Sequence, residues 1–337
     1  MLDGFANEGL ADMWTPVALS REVGRQPYGL TVAGERIVLF RDARGTLAAL
    51  RDQCPHRGVK LSLGKVKEDG CLECPFHGWR FAADGACTHI PLNPMPEEKR
   101  QRFAATAFPV RERGGLVWLY TRPGAEAPDE PYVPETLEQK GVHVWLYVET
   151  WNAHWTRAME NMLDSPHLPF VHRRTIGGAL RRRMKPDSRM EIELEPTPTG
   201  FRTQSRMDGV EPKGFLDWLR PNGMRMSVPI PGRLMQLYMW CVPVDANHVR
   251  MFLVSARDFV RMQPLAGLVD RYNTRILRED KAVVESSHPV EVPPVSEERS
   301  VATDRATLAF RRWYLERKKR SPHEAPSGTE AVASLAV

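Results

Sequence analysis

No run in this 337-residue sequence approaches the roughly 18 apolar residues that a membrane-spanning helix needs. The opening residues, MLDGFANEGLADMW, lack both the basic and the apolar segment of a secretory leader. Cysteine is scarce: five, unevenly spaced, are too few for the disulfide framework of a small secreted domain. There is no internal repeat and no GxGxxG fingerprint for a dinucleotide. Strong charge of one sign is missing too. The net +5 is spread along the chain, densest in RRRMK (181–185) and RRWYLERKKR (311–320). Such runs are mostly solvated faces, which argues against nucleic acid as a partner; the alternative reading is a patch that docks an acidic electron donor. Together these absences point away from membrane and secretory pathways, toward a reducing cytoplasm.

The length suffices for two ordinary domains. Short β-prone runs fill the first third (YGLTVAGERIVLF, RDARGTLAAL, LVWLYT), and the turns AGER and DARG predict hairpins. RPGAEAPDEPYVPE (122–135) reads as a linker or seam. Beyond it come a strand, HVWLYVETW, a helical stretch around TRAMENMLD, two pairs of longer strands, MEIELEPT with GFRTQSRM and RLMQLYMWCVPV with HVRMFLVSARDF, and a helix near 262–285. The expected class is α+β, organised as 1–125, 126–320 and a small polar tail, 321–337, without fixed structure.

Two constellations carry chemistry. In the first, Cys54-x-His56 is followed after seventeen residues by Cys74-x-x-His77. Short gaps within each pair let two side chains converge, and the long gap lets two loops face each other. Two thiolates and two imidazoles suit either a tetrahedral zinc or a [2Fe–2S] centre with histidines on one iron. Gly58 and Gly78 permit tight turns, and Pro55 and Pro75 stiffen the loops. Cys71 is a bystander without the flanks of the motif, Cys87 and Cys241 read as buried small hydrophobes, and His89 as structural or exposed. The second constellation is AMENMLDSPHLPFVH (158–172). Asp164 and His167 are three apart, near neighbours across a helical turn; Pro166 and Pro169 interrupt the helix, so His172 returns from a bend. On the helix near 265–284, Leu265, Leu268, Val269, Tyr272, Ile276 and Val283 trace a stripe on which Asp280 falls. There Asp280 is either an inward carboxylate needing a partner or a surface ion pair with Lys281.

CPHRG and CPFHGW closely resemble the ligand loops of a Rieske domain, over roughly residues 14–122. The resemblance implies that Cys54 and Cys74 bind one iron while His56 and His77 bind the other, neutral ligands that raise the potential of the cluster; Phe76 stands where tyrosine is also common. The segment Asn161, Asp164, His167, His172 and the phrase REDKAVVE resemble the catalytic domain of Rieske non-haem iron oxygenases, and SVATDRATLAFRRWYLE the end of its shorter members. The chain is thus similar to the compact monooxygenase and demethylase group, of the vanillate O-demethylase and dicamba monooxygenase type. That family implies an N-terminal all-β Rieske domain and a C-terminal α+β domain with an antiparallel, helix-grip (START-like) sheet. It implies a [2Fe–2S] cluster and a mononuclear Fe(II) held by His167, His172 and Asp280. Asp164 would bridge His77 of a neighbouring subunit to His167, with Asn161 at the family's acidic-or-Asn position; a head-to-tail homotrimer follows. NAD(P)H electrons would arrive only through a separate ferredoxin or reductase. The expected reaction is O₂-dependent hydroxylation or O/N-demethylation of an aromatic or polycyclic small molecule. A ring-dihydroxylating dioxygenase and a Rieske electron carrier are the alternatives. Met159, Met162, Met207, Met235, Met239, Trp218 and Trp240 are either pocket lining or ordinary core; Arg173 and Arg174 either meet a substrate anion or sit on the surface.

Overall fold

The computed structural model describes residues 3–124, 126–212 and 214–319, in two compact units that part after Pro134. The tail expected at 321–337 lies outside the described residues. The stretch after 122 stays with the first unit because it is tied there: Trp14 Nε1 donates to the Asp129 carbonyl and Arg111 Nε to the Glu130 carboxylate.

Among the described residues, the first unit is almost entirely β, with only the short helices α1 (Asp3–Asn7) and α2 (Glu97–Arg100) and a few 3₁₀ turns. One antiparallel sheet orders β1 (Trp14–Leu19), β11 (Leu116–Tyr120) and β10 (Val110–Arg113); a second orders β2 (Tyr28–Val32), β3 (Glu35–Arg41), β4 (Leu47–Arg51) and β9 (Ala107–Phe108). A small third sheet runs β5 (Lys65–Val66), β6 (Leu72–Glu73), β7 (Arg80–Phe81), β8 (Cys87–His89). The AGER turn closes β2 on β3 with Ala33 and Gly34 both at positive φ, the requirement of a two-residue hairpin turn whose twist matches its strands. β4 and the β6–β7 hairpin each deliver one Cys/His loop to the same end of the unit, over a core of Phe40, Leu50, Leu61, Leu72 and Phe81.

In the second unit seven strands form one antiparallel sheet, ordered β12 (His143–Trp151), β18 (His248–Arg257), β17 (Met235–Asp245), β16 (Gly223–Ser227), β15 (Leu216–Leu219), β14 (Gly200–Met207), β13 (Met190–Thr197). Register sets which side chains share its inner face. Thr203 pairs with Leu216, Leu216 with Met226, and Met226 with Leu237; two residues along, Met224 pairs with Met239 and Met239 with Leu253. Over that face lie α3 (Trp155–Leu163), α6 (Leu265–Val284) and, at the β14–β15 end, α7 (Arg305–Lys319), where Phe310 meets Trp218 and Trp155 edge-on. Two short helices, α4 (Leu168–Val171) and α5 (Gly178–Arg183), follow α3.

The basic run at 311–320 is not a uniformly solvated face. Arg311, 5 % exposed, donates from Nε and Nη2 to both oxygens of Glu160 on α3 (2.6 and 2.7 Å) and from Nη2 to Glu298 (2.8 Å). This bonding holds α3 against α7. Removing one partner of a buried ion pair strands the other charge, so Glu160→Ala is expected to destabilise the protein by about 3 kcal/mol. Glu298→Ala, at a carboxylate about one-third exposed, should cost below about 1 kcal/mol. Denaturant midpoints of the two variants check this; equal losses would show that burial does not govern the pair.

Candidate metal centres

The two Cys/His loops are conformational copies of each other. The Gly58 N–H donates to the Cys54 carbonyl and the Cys54 N–H to the Val59 carbonyl; the Gly78 N–H donates to the Cys74 carbonyl and the Cys74 N–H to the Trp79 carbonyl, at the same offsets. The turn needs φ of 72° at residue 58 and 70° at residue 78, left-handed values that glycine adopts without a Cβ clash. Behind the first loop, buried Asp52 accepts from Ser62 N–H and Oγ, both at 2.7 Å. Cys54 and Cys74 are 2 % exposed, in the core cluster, whereas His56 is half-buried and His77 exposed. Their imidazole centroids lie 4.7 Å apart, and Trp79 stacks on His56 at 4.5 Å. Burial, with Cys74 alongside, pushes the Cys54 thiol up to about 11. Alone, that sulfur keeps its proton at neutral pH; a bound metal's charge is what would make it a thiolate. Cys71, Cys87 and Cys241 are buried and free, and His89 is exposed.

The second group sits where α3 ends. Leu163 is the last helical residue; Asp164 turns extended, and Ser165, ahead of Pro166, follows it out of the helix. Asp164 and His167 are therefore neighbours across an irregular bend, not across a helical turn, with Asp164 Oδ2 3.4 Å from His167 Nδ1. Pro169 occupies the first turn of α4, where its missing N–H is harmless. His172 caps the far end of α4 and points back.

Asp280 comes from α6, on a face that differs from the expected stripe. Leu265, Leu268, Tyr272 and Val283 are exposed; the buried face is Ala266, Asp270, Asn273, Leu277, Asp280 and Val284. The helical period holds, but its inward side carries three polar residues among the apolar ones; of the expected stripe, Val269 and Ile276 are half-buried, and Ile276 lines the cavity described below. Asp270 there accepts from fully buried Arg257 at 2.7 Å. Asp280 faces inward without Lys281, whose Nζ donates instead to the Thr150 carbonyl.

His167 Nε2, His172 Nε2 and Asp280 Oδ1 converge: 3.3 Å between the imidazoles, and 3.4 and 3.1 Å from each to the carboxylate. Donor bonds of about 2.2 Å at right angles would place ligand atoms about 3.1 Å apart. Asp280 Oδ1 is buried and without a hydrogen-bond partner; no geometry within the triad is a hydrogen bond to it, despite the short separation. A divalent cation satisfies all three atoms at once, so the residues fit a mononuclear iron. Burial alone would lower the His172 pKa, but Asp280 and Glu279 together raise it.

Glu279 is a site residue the sequence reading passed over, although it adjoins Asp280. Its Oε2 lies 3.0 Å from His172 Nδ1 and accepts from Thr175 Oγ1 at 2.6 Å. A proton held on Nδ1 leaves the Nε2 lone pair free for a metal. Beside the triad opens a cavity of about 270 Å³. Of the expected methionines and tryptophans, Met162, Met207 and Met239 line it, whereas Met159, Met235, Trp218 and Trp240 do not. Met190, Met224 and Met226 line it unforeseen; Asn161 and Asp164 line it too. Arg173 and Arg174 are exposed and outside it.

Comparison with known proteins places the chain in a family. Residues 13–103 match the Rieske [2Fe-2S] domain, and residues 151–319 the vanillate O-demethylase oxygenase C-terminal domain. The methylxanthine N1-demethylase NdmA of Pseudomonas putida is 27% identical over 93% of this chain and 90% of its own. Its solved structure superposes with a TM-score of 0.78 at 25% identity, covering 93% of this chain and 92% of that one. The chloroplastic chlorophyllide a oxygenase of Chlamydomonas reinhardtii is 29% identical over 91% of this chain. Dicamba monooxygenase shares the fold, with a TM-score of 0.76 at 22% identity over 92% of this chain and 97% of that one. The chain spans about half the length of two of the curated relatives it matches, the chlorophyllide oxygenase among them.

The geometry predicts about three irons and two acid-labile sulfides per chain. His172→Ala and Asp280→Ala should each lose one iron and keep the sulfide and the visible absorption. Glu279→Gln should retain the iron site but release its metal to a chelator with affinity lowered about 10–100-fold. Unchanged iron in the first two variants would remove them from the ligand set.

Proposed function

This chain belongs to the Rieske non-haem iron oxygenases of the vanillate O-demethylase group, and from that premise we propose that it is the terminal oxygenase of a monooxygenase system. It hydroxylates a small molecule with O₂ and, where the attacked carbon is an O- or N-methyl group, releases formaldehyde and a dealkylated product. The observation that carries this reading is the convergence of His167, His172 and Asp280 on one point at the wall of a mostly apolar cavity.

Cys54, Cys74, His56 and His77 would hold the [2Fe–2S] cluster, and His167, His172 and Asp280 the mononuclear iron. When bound, the cluster supplies one-electron transfer and the ferrous iron the activation of dioxygen. Two imidazoles and one carboxylate would hold an iron with fewer protein ligands than it can take, which is what dioxygen chemistry requires. Glu279 holds the Nδ1 proton of His172, and Asp164 stands beside Nδ1 of His167. The apolar lining excludes water and seats the substrate beside the triad.

NAD(P)H electrons reach the protein through a separate ferredoxin or reductase. Asp164, whose side chain is about 30% exposed, joins His167 to His77 of a neighbouring subunit in a head-to-tail homotrimer; the exposure of His77 favours this role. Asn161 supports Asp164 from the last turn of α3. Among the described residues no helix is long and apolar enough to cross a membrane, and we place the protein in the cytoplasm. The reaction class follows the relatives that span nearly the same length, NdmA among them, an N-demethylase.

Product formation and formaldehyde release, with a surrogate reductase and a panel of methoxy- and methyl-bearing aromatic and polycyclic compounds, test the reaction. Asp164→Ala should keep both metal centres and lose at least about 100-fold in turnover, the scale of a misplaced transfer partner. Normal turnover in that variant would end its assigned role, and a panel without any oxygenated product would end the monooxygenase reading.

A further inference from the structure

The cavity beside the triad has an unusual lining. Six methionines face it (Met162, Met190, Met207, Met224, Met226 and Met239), and among the described residues no lysine or arginine does. Among the described residues its acidic groups are Asp164 and Asp280, beside the imidazoles of His167 and His172. Arg202 and Arg225, next in sequence to the lining residues Thr203, Met224 and Met226, are committed elsewhere. Arg202 donates to both oxygens of Asp217, Arg225 Nε donates to the same carboxylate, and the Arg202 guanidinium lies 3.9 Å from the centroid of Phe215. Strand alternation turns Arg202 away from the face that carries Thr203, Ser205 and Met207.

Polar atoms without partners mark where a ligand would be held. Asn273 Nδ2, Thr203 Oγ1 and Asn161 Nδ2 are buried, unpaired, and belong to residues lining this one cavity. Asn273 is 4 % exposed and Thr203 2 %; such atoms are costly to leave unmade. The amide nitrogen can only donate, and the hydroxyl can donate as well as accept, so the group they fit is an acceptor. Asn273 precedes Asp280 by two helical turns on the same face of α6, about 10 Å along its axis. A bound molecule therefore has its acceptor at one end and its reacting carbon at the other.

We propose, resting on the oxygenase reading for what the site does, that the substrate is an uncharged, largely apolar molecule whose carbonyl or similar acceptor is read by Asn273 and Thr203, and that carboxylates are rejected. A carboxylate held at the Asn273 and Thr203 end would lose its water there without gaining a protein cation, about 10 Å along α6 from Asp280 and the metal it would ligate. The methionines adapt to an apolar body without dictating its outline.

The test is binding, by calorimetry, to the iron-loaded full chain without reductase, using three probes of matched shape: 4-methoxyacetophenone, 4-methoxybenzoate and 4-ethylanisole. The ketone should bind at least tenfold tighter than either of the others. Asn273→Leu and Thr203→Val should each bring it toward the affinity of 4-ethylanisole, with iron and sulfide content unchanged. Equal or tighter binding of the benzoate, no binding of any probe, or a ketone preference that survives both substitutions would overturn the proposal. Lys213→Ala, at a position outside the described residues, is the control for a lysine counter-ion: benzoate binding lost with it would likewise overturn the exclusion of anions. In a separate turnover assay with a surrogate reductase, oxygenated product formed from the benzoate would remove this inference and leave the oxygenase reading standing, whereas ketone-selective binding in calorimetry with no product from any probe in turnover would do the reverse.

Discussion

Three lone-pair-bearing atoms held 3.1–3.4 Å apart in a largely buried pocket are an arrangement that only a cation or a proton can relieve. Much of the second unit is organised by that constraint. α3 ends at Leu163 so that Asp164 and His167 can leave its axis; α4 lasts four residues so that His172 can turn back; α6 presents a carboxylate inward where a soluble helix would ordinarily bury an apolar side chain. Each departure from regular structure is local, and all of them meet at one point.

Such a point is useful only if its supports are rigid. His172 is held through Glu279, which is itself held by Thr175, so the imidazole has one orientation and one available nitrogen. α3 is pinned to α7 by the Glu160–Arg311 pair and by Phe310 against Trp155. The first unit obeys the same logic with other means. Its two loops repeat one backbone pattern of hydrogen bonds, and their difference, histidine two residues after cysteine in one and three in the other, lets both rings reach the surface while both sulfurs stay in the core. Burial protects the sulfurs from solvent; exposure of the His77 ring leaves an edge that a partner can approach.

The two constellations were legible because their chemistry is written in short, closely spaced residues: CPHRG, CPFHGW, and a histidine on either side of a proline bend. Hairpin positions in the first unit were legible for a similar reason, since AGER demands its turn locally. What could not be read depended on contacts between distant segments. Glu279 becomes a site residue only when α6 is laid over α4, and its neighbour in sequence, Asp280, drew the attention. The cavity methionines on β13 and β16 could not be told from core without the register that lines them up with Thr203 and Leu237. Arg311 looked like one member of a basic run, because the acidic residue that buries it lies 151 positions away.

The misread face of α6 has a more general cause. Hydrophobic periodicity identifies the inward side of a helix on the assumption that the interior is apolar. Where a helix forms the wall of a reaction site, that assumption fails at particular positions: Asn273 and Asp280 face in, Asp270 faces in to meet the buried Arg257, and Leu265, Leu268 and Tyr272 are left outside. The helical period survives, since packing geometry still repeats every three to four residues, but its phase is set by chemistry rather than by hydropathy. A helix that buries two carboxylates and an amide while leaving two leucines outside is therefore itself a sign of where a protein keeps its reactive groups, and in this chain Asn273 and Asp280 point to the same cavity as the metal ligands do.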